Sequence, residues 1–203
     1  MQKLQFRESG LLVTIMKKRV LVCLTGASGA IYGVRLLRAL KSNNHEVHLI
    51  VSKWGEETLK YETGIDAETL TKEADFFYDE HDLAAGPASG TFSIDSMVVI
   101  PCSMKTLAGI AHGYADNLIA RAADCSLKER RKLILVPRES PLNLIQIRNM
   151  GTVTEAGAIV IPASPAFWAK PKSIDELVDS VVERVLVHLD VSKETAAQWT
   201  GEP

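Results

Sequence analysis

The chain has 203 residues, of which 46% are hydrophobic and 24% charged, and its formal net charge is −2. This length fits one domain with short extensions, and the composition is ordinary for a globular protein with a buried core. A charge so close to zero gives no reason to expect nucleic acid or an anionic membrane as a partner. No apolar run reaches the roughly 18 residues that a membrane span requires.

The cysteines indicate the compartment of the protein. Cys23, Cys102 and Cys125 are odd in number and lack CxxC spacing, so the sequence predicts neither a disulfide framework nor a metal site. We therefore expect a reducing, cytoplasmic location.

The N-terminal residues do not resemble a secretion signal. Residues 1–15 lack the apolar centre and the small-residue cleavage site of a signal peptide, and Met16 is a second candidate start. From this we predict a dispensable N-terminal arm at 1–17, one domain at 18–191 and a C-terminal tail at 192–203.

Short apolar segments alternate with amphipathic segments along the whole domain. The predicted strands are 20–24, 46–52, 96–101, 132–137 and 158–162. The predicted helices are 31–40, 53–61, 66–74, 104–111, 116–130, 140–157 and 173–189. This alternation predicts an α/β fold: a single-domain, doubly wound, open parallel sheet with helices on both faces, Rossmann-like or flavodoxin-like.

Three residues are predicted to cap helices, and one segment resists assignment. Asp66 and Ser103 each precede a helical pattern, and Ser140 is followed by Pro141, which suits the first helical position. Residues 79–94 contain two Gly and one Pro and show little periodicity. A loop of this length inside a compact domain tends to be functional or mobile.

The first predicted strand leads into a turn of small residues, Thr25 to Ala30. Small residues let backbone N–H groups approach a ligand closely, and the following helix N-terminus favours an anion. The spacing Gly26-x-x-Gly29 differs from the dinucleotide fingerprint. A tight turn without a ligand explains it equally well, so by itself this turn supports only a nucleotide or phosphate site.

Polar clusters follow each of the predicted strands at its carboxyl end, where ligands bind in open α/β sheets. These clusters are residues 25–30, 52–53, 101–106, 137–140 and 162–168. Their coincidence at one edge of the sheet is stronger evidence for a binding site than any single motif.

Each cluster also has a simpler explanation. Ser103 could serve only as a helix cap, and the cations after position 127 could be a solvated helix end. Arg138 and Glu139 could bind phosphate and move a proton, or they could form a structural ion pair. Arg121 differs from the other cations because apolar neighbours suggest a packed environment.

Five ordered segments together resemble the UbiX-type flavin prenyltransferase family. They are 26–30, 101–106, 116–124, 127–131 and 136–142, and the similarity extends over about residues 18–191. Members of this family join a dimethylallyl group from dimethylallyl monophosphate to N5 and C6 of reduced FMN. The resemblance therefore implies FMN as substrate, prenylated FMN as product, no metal, a homo-dodecamer with sites at subunit junctions, and a UbiD-type decarboxylase as recipient of the product.

The resemblance also implies a role for individual residues. It places FMN against Gly26, Ala27, Ser28, Ser52, Ser103, Met104, Lys105, Thr106 and Arg138. It places the prenyl phosphate against Arg121, Lys128, Trp168 and Arg184. The implied catalytic residues are Ser28 and Glu62 near flavin N5, Lys128, and Glu139 as a proton shuttle. Fixed cations suit this reaction because they stabilise the phosphate as its C–O bond breaks.

The sequence departs from the family pattern at two positions, and three other functions stay open. Phe167-Trp168 stands where members usually have Phe-Tyr, and Leu83 lies where many have Trp. The alternatives are a flavin-dependent cysteine decarboxylase, a decarboxylase acting directly on aromatic acids, and a non-enzymatic FMN-binding or assembly subunit. Pro-Ala-Ser-Ala-Asn-Thr is typical of the cysteine decarboxylases, and the different residues at 101–106 argue against that assignment.

Overall fold

One parallel sheet forms the centre of the computed structural model, which describes residues 17–191. Its strands are β1 (Arg19–Leu24), β2 (Glu46–Val51), β3 (Phe76–Tyr78), β4 (Ser96–Cys102), β5 (Lys132–Pro137) and β6 (Ile159–Val160). They lie in the order β3-β2-β1-β4-β5-β6, and every neighbouring pair is parallel.

Helices connect the strands and cover the sheet. They are α1 (Ala30–Ser42), α2 (Lys53–Thr63), α3 (Ala67–Glu73), α4 (Met104–Ala111), α5 (Leu118–Lys128), α6 (Leu144–Glu155) and α7 (Ile174–His188). Single 3-10 turns occur at Gly86–Ala88 and Phe167–Ala169. Among residues 17–191, no helix is both long and apolar enough to cross a bilayer.

The core has two halves because successive strand residues point to opposite faces of the sheet. Val20 and Val22 of β1 pack with buried residues of α1, α2, α3 and α7. Leu21 and Cys23, the residues between and after them, pack with buried residues of α4, α5 and α6. The predicted doubly wound sheet with helices on both faces is therefore confirmed.

The strand order creates a crevice beside β1. The chain proceeds from β1 to β2 on one side and later returns to β4 on the other. At such a reversal the two flanking connections leave in opposite directions, which opens a crevice beyond the carboxyl ends of the strands. The loops after β1 and β4 border this crevice.

The structure confirms two of the predicted caps and corrects the third. The side chain of Asp66 accepts the N–H of Thr69 at 2.7 Å, and Ser103 caps α4. Ser140 is not a cap: α6 begins three residues after Pro141, and Asn143 caps it. Asn143 and Gln146 exchange side-chain-to-backbone hydrogen bonds of 3.0 Å each, so a capping box determines where this helix starts.

Two further differences concern the strands and the ends of the chain. The three residues of β3 form an edge strand that the sequence did not predict, and the predicted strand 158–162 is reduced to two residues, Ile159 and Val160. The predicted arm at 1–17, apart from Lys17, and the predicted tail at 192–203 lie outside the described residues.

Candidate active site at the carboxyl edge of the sheet

Thr25 joins the two loops that border the crevice. Its side chain is buried, and its Oγ1 donates to the carbonyl of Pro101 at 2.8 Å and accepts the N–H of Ser103 at 2.8 Å. The N–H of Thr25 also donates to Pro101, at 3.3 Å. The sequence placed Thr25 in the polar cluster 25–30 but did not predict that it joins two loops, because its partners lie more than 70 positions away.

Glycines let the first loop pack against the start of α2. A Cβ added to Gly26 would overlap the side chain of Trp54, and one added to Gly55 would lie 2.6 Å from the carbonyl oxygen of Leu24. The two glycines therefore let the loop after β1 and the start of α2 lie in direct contact. Small residues in such a loop also let a ligand approach main-chain N–H groups closely.

Glu62 reaches the N-terminus of α1 from the last turns of α2. Gly29, with φ of 101°, precedes α1, and the N–H groups of Gly29 and Ala30 donate to Glu62 Oε2 at 2.8 and 2.9 Å. These bonds satisfy two N–H groups that a helix N-terminus leaves unpaired. They also hold the carboxylate beside Ser28, so the structure brings together two of the predicted catalytic residues.

Two more helices begin at this edge. Ser52 Oγ accepts the N–H of Gly55 at 3.1 Å, and Ser103 Oγ accepts the N–H of Thr106 at 3.3 Å. Ser103 therefore is a cap, as the simpler explanation required, and it is also half-buried beside the crevice. The N-terminus of α4 favours an anionic ligand, whereas at the N-termini of α1 and α2 the carboxylates of Glu62 and Glu80 already accept N–H groups.

Met104 and Lys105, the remaining predicted FMN contacts of this cluster, follow Ser103 in the first turn of α4. Met104 is half-buried. The side chain of Lys105 is 80% exposed, and its Nζ lies 3.6 Å from Asp116 Oδ2. Both residues thus lie at the same helix N-terminus as Ser103.

Arg138 and Glu139 follow β5 and are both exposed at the same edge. The N–H of Arg138 donates to the carbonyl of Cys102 at 3.4 Å, and Glu139 Oε1 accepts the N–H of Ser140 at 2.9 Å. Within the described part of the chain these two residues form no ion pair with each other. Burial raises the pKa of Tyr32, and the positive charge of Arg138 opposes this shift.

Arg121, in the first turn of α5, and Trp168, in the loop after β6, also belong to the carboxyl edge. Arg121 Nε donates to the carbonyl of Ala88 at 3.1 Å, and its Nη1 lies 2.6 Å from Asp124 Oδ2. These bonds fix the guanidinium against residues 79–94. Trp168 is half exposed in the 3-10 turn after β6.

The chain does not bring Lys128 and Arg184 to this edge. Lys128 ends α5, pairs with Glu129 and precedes the start of β5, so it lies at the amino edge of the sheet. Arg184 lies near the end of α7, which is held at that same edge by the hydrogen bond from Lys18 Nζ to the carbonyl of Leu189 at 2.7 Å. Six-residue strands separate the two edges by about 20 Å. The residues predicted to bind the prenyl phosphate therefore lie at two opposite edges of the same chain.

Comparison with known proteins gives the family. The flavoprotein family model matches residues 10–186. Flavin prenyltransferase LpdB of Lactiplantibacillus plantarum is 46% identical over 186 residues, which cover 91% of this chain and 100% of that protein. The chain belongs to the UbiX-like flavin prenyltransferase family. This confirms the resemblance that the ordered segments indicated.

Solved structures agree with this assignment. AnUbiX (PadA1), in complex with FMN and dimethylallyl pyrophosphate, is 46% identical and has a TM-score of 0.90, covering 93% of this chain and 100% of that one. A dodecameric FMN-dependent Ubix-like decarboxylase from Escherichia coli O157:H7 is 47% identical with a TM-score of 0.87, covering 90% of this chain and 100% of that one.

The described part of this UbiX-like chain assembles no metal site, and two of its thiols are unreactive. Between residues 17 and 191, no group of three or more His, Cys, Asp or Glu residues could hold a metal ion. Burial raises the pKa of Cys102 to about 12 and raises that of Cys23 as well. Both thiols therefore stay protonated near neutral pH and are poor nucleophiles, although Cys102 directly precedes Ser103.

Proposed function

We propose that this chain is a flavin prenyltransferase that joins the dimethylallyl group of dimethylallyl monophosphate to N5 and C6 of reduced FMN. The observation that carries the proposal is the likeness to AnUbiX in complex with FMN and dimethylallyl pyrophosphate, over 93% of this chain. The reaction forms a C–N and a C–C bond. The phosphate leaves with the electron pair of the broken C–O bond, N5 and C6 each lose a proton, and the double bond of the dimethylallyl group is consumed as it takes up one proton.

The carboxyl edge has the features that FMN requires. The first turn of α4 and the backbone of the loop after β1 offer N–H donors, and Arg138 adds a charge for phosphate. We assign flavin binding to Gly26, Ala27, Ser28, Ser52, Ser103, Met104, Lys105, Thr106 and Arg138. Thr25 keeps the two sides of this surface at a fixed separation through its bonds to Pro101 and Ser103.

Ser28 and Glu62 are proposed to act at the N5 edge of the flavin. The two N–H groups of Gly29 and Ala30 hold the carboxylate of Glu62, so it does not have to reorient during the reaction. In this role Glu62 keeps the Ser28 hydroxyl oriented, and either group can carry the proton that N5 loses.

The prenyl phosphate is proposed to lie where two subunits meet. Arg121 and Trp168 belong to the carboxyl edge of one chain, whereas Lys128 and Arg184 lie at the opposite edge. A second copy of the chain can supply the latter two, and the dodecameric relative from Escherichia coli shows that chains of this family assemble. The combined cations stabilise the departing phosphate, and Glu139 moves a proton between the phosphate and the flavin.

The wider setting of the reaction is proposed from the family. The product serves a UbiD-type decarboxylase, the chain forms a homo-dodecamer, and it works in the cytoplasm. The three free, buried cysteines are compatible with a reducing compartment.

Mass spectrometry of the flavin tests the proposal. The protein is incubated anaerobically with reduced FMN and dimethylallyl monophosphate, and the flavin is then released. A mass gain of one C5 prenyl unit is expected. Unmodified FMN, released from protein that binds it, would overturn the proposal for this donor, and a second arm with the diphosphate tests the other one.

A third arm tests direct decarboxylation, which the name of the Escherichia coli relative makes the main alternative. The FMN-loaded protein is incubated with an aromatic carboxylic acid and without a partner protein. We expect no release of carbon dioxide. Release without a partner, together with unmodified FMN, would favour the decarboxylase instead.

A further inference from the structure

Glu80, which lies between β3 and the 3-10 turn at Gly86–Ala88, is bonded to two helix N-termini. Its side chain is 13% exposed. One oxygen, Oε1, accepts the N–H of Lys53 at 2.7 Å, and the other, Oε2, accepts Nδ2–H of Asn117 at 3.2 Å. Its main-chain carbonyl also accepts the N–H of Leu118, at 2.7 Å. A single residue thus holds the first residues of α2 and α5.

The first of these helices carries part of the proposed flavin site. Lys53 begins α2 directly after Ser52, whose N–H donates to the carbonyl of Leu24 at 2.9 Å. The N–H groups of a first helical turn have no partner within the helix. Because Glu80 accepts the N–H of Lys53, it fixes the direction in which the chain leaves Ser52. The Ser52 hydroxyl then stays beside the crevice.

The second helix carries the proposed prenyl-phosphate contact. Asn117 caps α5: its Oδ1 accepts the N–H of Ala120 at 2.9 Å, and its carbonyl accepts the N–H of Arg121 at 2.9 Å. The remaining polar group of the Asn117 side chain, Nδ2–H, donates to Glu80. Two successive hydrogen bonds therefore link the backbone of Arg121 to Glu80 through Asn117.

We infer that Glu80 is a positioning residue that couples the flavin-binding and prenyl-phosphate-binding halves of the site. The inference rests on the proposed function, since it assigns Ser52 and Arg121 to the two substrates. A carboxylate suits the role because it accepts at both oxygens and makes stronger hydrogen bonds than a neutral group. Small errors in the relative placement of two reactants are costly to a bimolecular reaction.

The first test is the variant Glu80→Gln, which keeps one acceptor oxygen and replaces the other with a donor. Lys53 and Asn117 both donate, so the amide can satisfy only one of them. We expect the Kd for FMN and the KM for dimethylallyl monophosphate each to rise about 3- to 10-fold. A merely structural residue would lower Tm and the folded fraction and leave both constants of the folded protein unchanged.

The second test exchanges donor and acceptor in the hydrogen bond between positions 80 and 117. Asn117→Asp alone places a carboxylate against Glu80, and we expect a larger defect than for Glu80→Gln. In the double variant the amide at position 80 donates to the new carboxylate at position 117 and still accepts from Lys53. The other oxygen at position 117 still caps Ala120. Recovery of both constants to within about 2-fold of the unmodified protein is expected, since the number of hydrogen bonds is restored.

The control is Glu57→Gln, which removes an exposed carboxylate from the same helix that Glu80 holds. It should leave both constants unchanged. Unchanged constants in Glu80→Gln, or a double variant no better than the sum of the singles, would overturn the inference. The FMN titration requires no turnover, so FMN that binds tightly but is never prenylated counts against the proposed function and not against Glu80.

A measurement on the unmodified protein covers the case in which Glu80→Gln does not fold. Hydrogen exchange followed by mass spectrometry reports the amides of Lys53 and Leu118, both of which donate to Glu80. Slow exchange is expected for both. Exchange as fast as that of an open loop would contradict the hydrogen bonds from Lys53 and Leu118 to Glu80.

Discussion

The carboxylate of Glu62 allows charge and geometry to be separated at a single residue. Both N–H groups that it accepts, from Gly29 and Ala30, donate to the same oxygen. The amide oxygen of Glu62→Gln can accept both, so the loop keeps its shape and only the charge is lost. We expect kcat for prenyl transfer to fall about 100-fold, because proton transfer by a positioned side chain contributes that order of magnitude.

The Kd for FMN should meanwhile change by less than about 2-fold, since no hydrogen bond of the loop is removed. Single-turnover prenylation and a fluorescence titration with FMN measure the two effects. Glu57→Gln, an exposed carboxylate of the same helix, is the matched control and should behave as the unmodified protein. An unchanged rate in Glu62→Gln would show that its charge takes no part in the reaction.

His45 should make the stability of the protein depend on pH. Its Nδ1 accepts the N–H of Lys18 at 3.1 Å, and its buried Nε2 has no hydrogen-bond partner among the described residues. Burial, with the charges of Lys18 and Lys17, lowers the pKa of His45 below its ordinary value of 6.5. The unfolded chain therefore binds a proton more readily, and stability that is complete above about pH 6.5 is lost as the pH falls through the folded-state pKa.

The variant His45→Asn tests this dependence, because its Oδ1 can take the place of Nδ1 and does not titrate. Thermal unfolding between pH 7 and pH 5 should show a smaller decrease in Tm for His45→Asn than for the unmodified protein. His81→Asn, at a side chain that is 77% exposed, should keep the full decrease. Parallel curves for all three proteins would exclude His45 as the source.

At the scale of elements, α1 lies against the sheet at Gly33. A Cβ added there would lie 2.6 Å from the carbonyl oxygen of Ile100 and 2.7 Å from Cγ of Leu24. Gly33→Ala should therefore push α1 away from the strands and lower the free energy of unfolding by about 1–3 kcal/mol. Gly29 and Ser28, one turn earlier, should move with the helix, so the Kd for FMN should rise as well.

Gly151→Ala is the matched control, since it also lies inside a helix but has no atom within 4 Å of the added Cβ. Alanine loses less backbone freedom on folding than glycine does, so Gly151→Ala should stabilise α6 by about 0.5–1 kcal/mol. Denaturant unfolding compares the two variants. Equal effects of the two substitutions would contradict the close contact between α1 and the sheet.

The sequence predicts most elements of this fold because its signals are local. The apolar strands, and the caps Asp66 and Ser103, can be recognised within a window of a few residues. The predicted start of α6 at Ser140 was wrong. Ser140-Pro141 resembles the beginning of a helix, but Asn143 and Gln146 form a capping box that starts the helix later. The strand Phe76–Tyr78 was missed because three residues are too few to show a period.

The candidate site shows the same division between local and distant information. The loops after β1, β4 and β5 were predicted to meet because the carboxyl ends of parallel strands share an edge. The role of Thr25 within the predicted cluster 25–30, and the role of Glu80, were missed because both depend on partners 27 to 78 residues away. No pattern in one sequence reports such a bond, since Thr in a turn and Glu in a loop are ordinary there.

At the scale of the whole molecule, the position of the helices divides the proposed site. The helices α5 and α7 run back from the carboxyl edge, so their ends carry Lys128 and Arg184 to the amino edge. Glu62 remains at the carboxyl edge, bonded to the first residues of α1. If all three act in one reaction, the active site must combine Glu62 of one chain with Lys128 of another.

Mixed assemblies of two inactive variants test this arrangement. Glu62→Gln and Lys128→Ala subunits, co-expressed in equal amounts, should recover activity, because about one quarter of the sites receive both unmodified residues if subunits assemble at random. Glu62→Gln mixed with Ser28→Ala is the control: both residues belong to the carboxyl edge of the same chain, so no site is complete. The recovered prenylation rate measures the outcome. No recovery in the first mixture, or equal recovery in both, would place Lys128 outside a shared site.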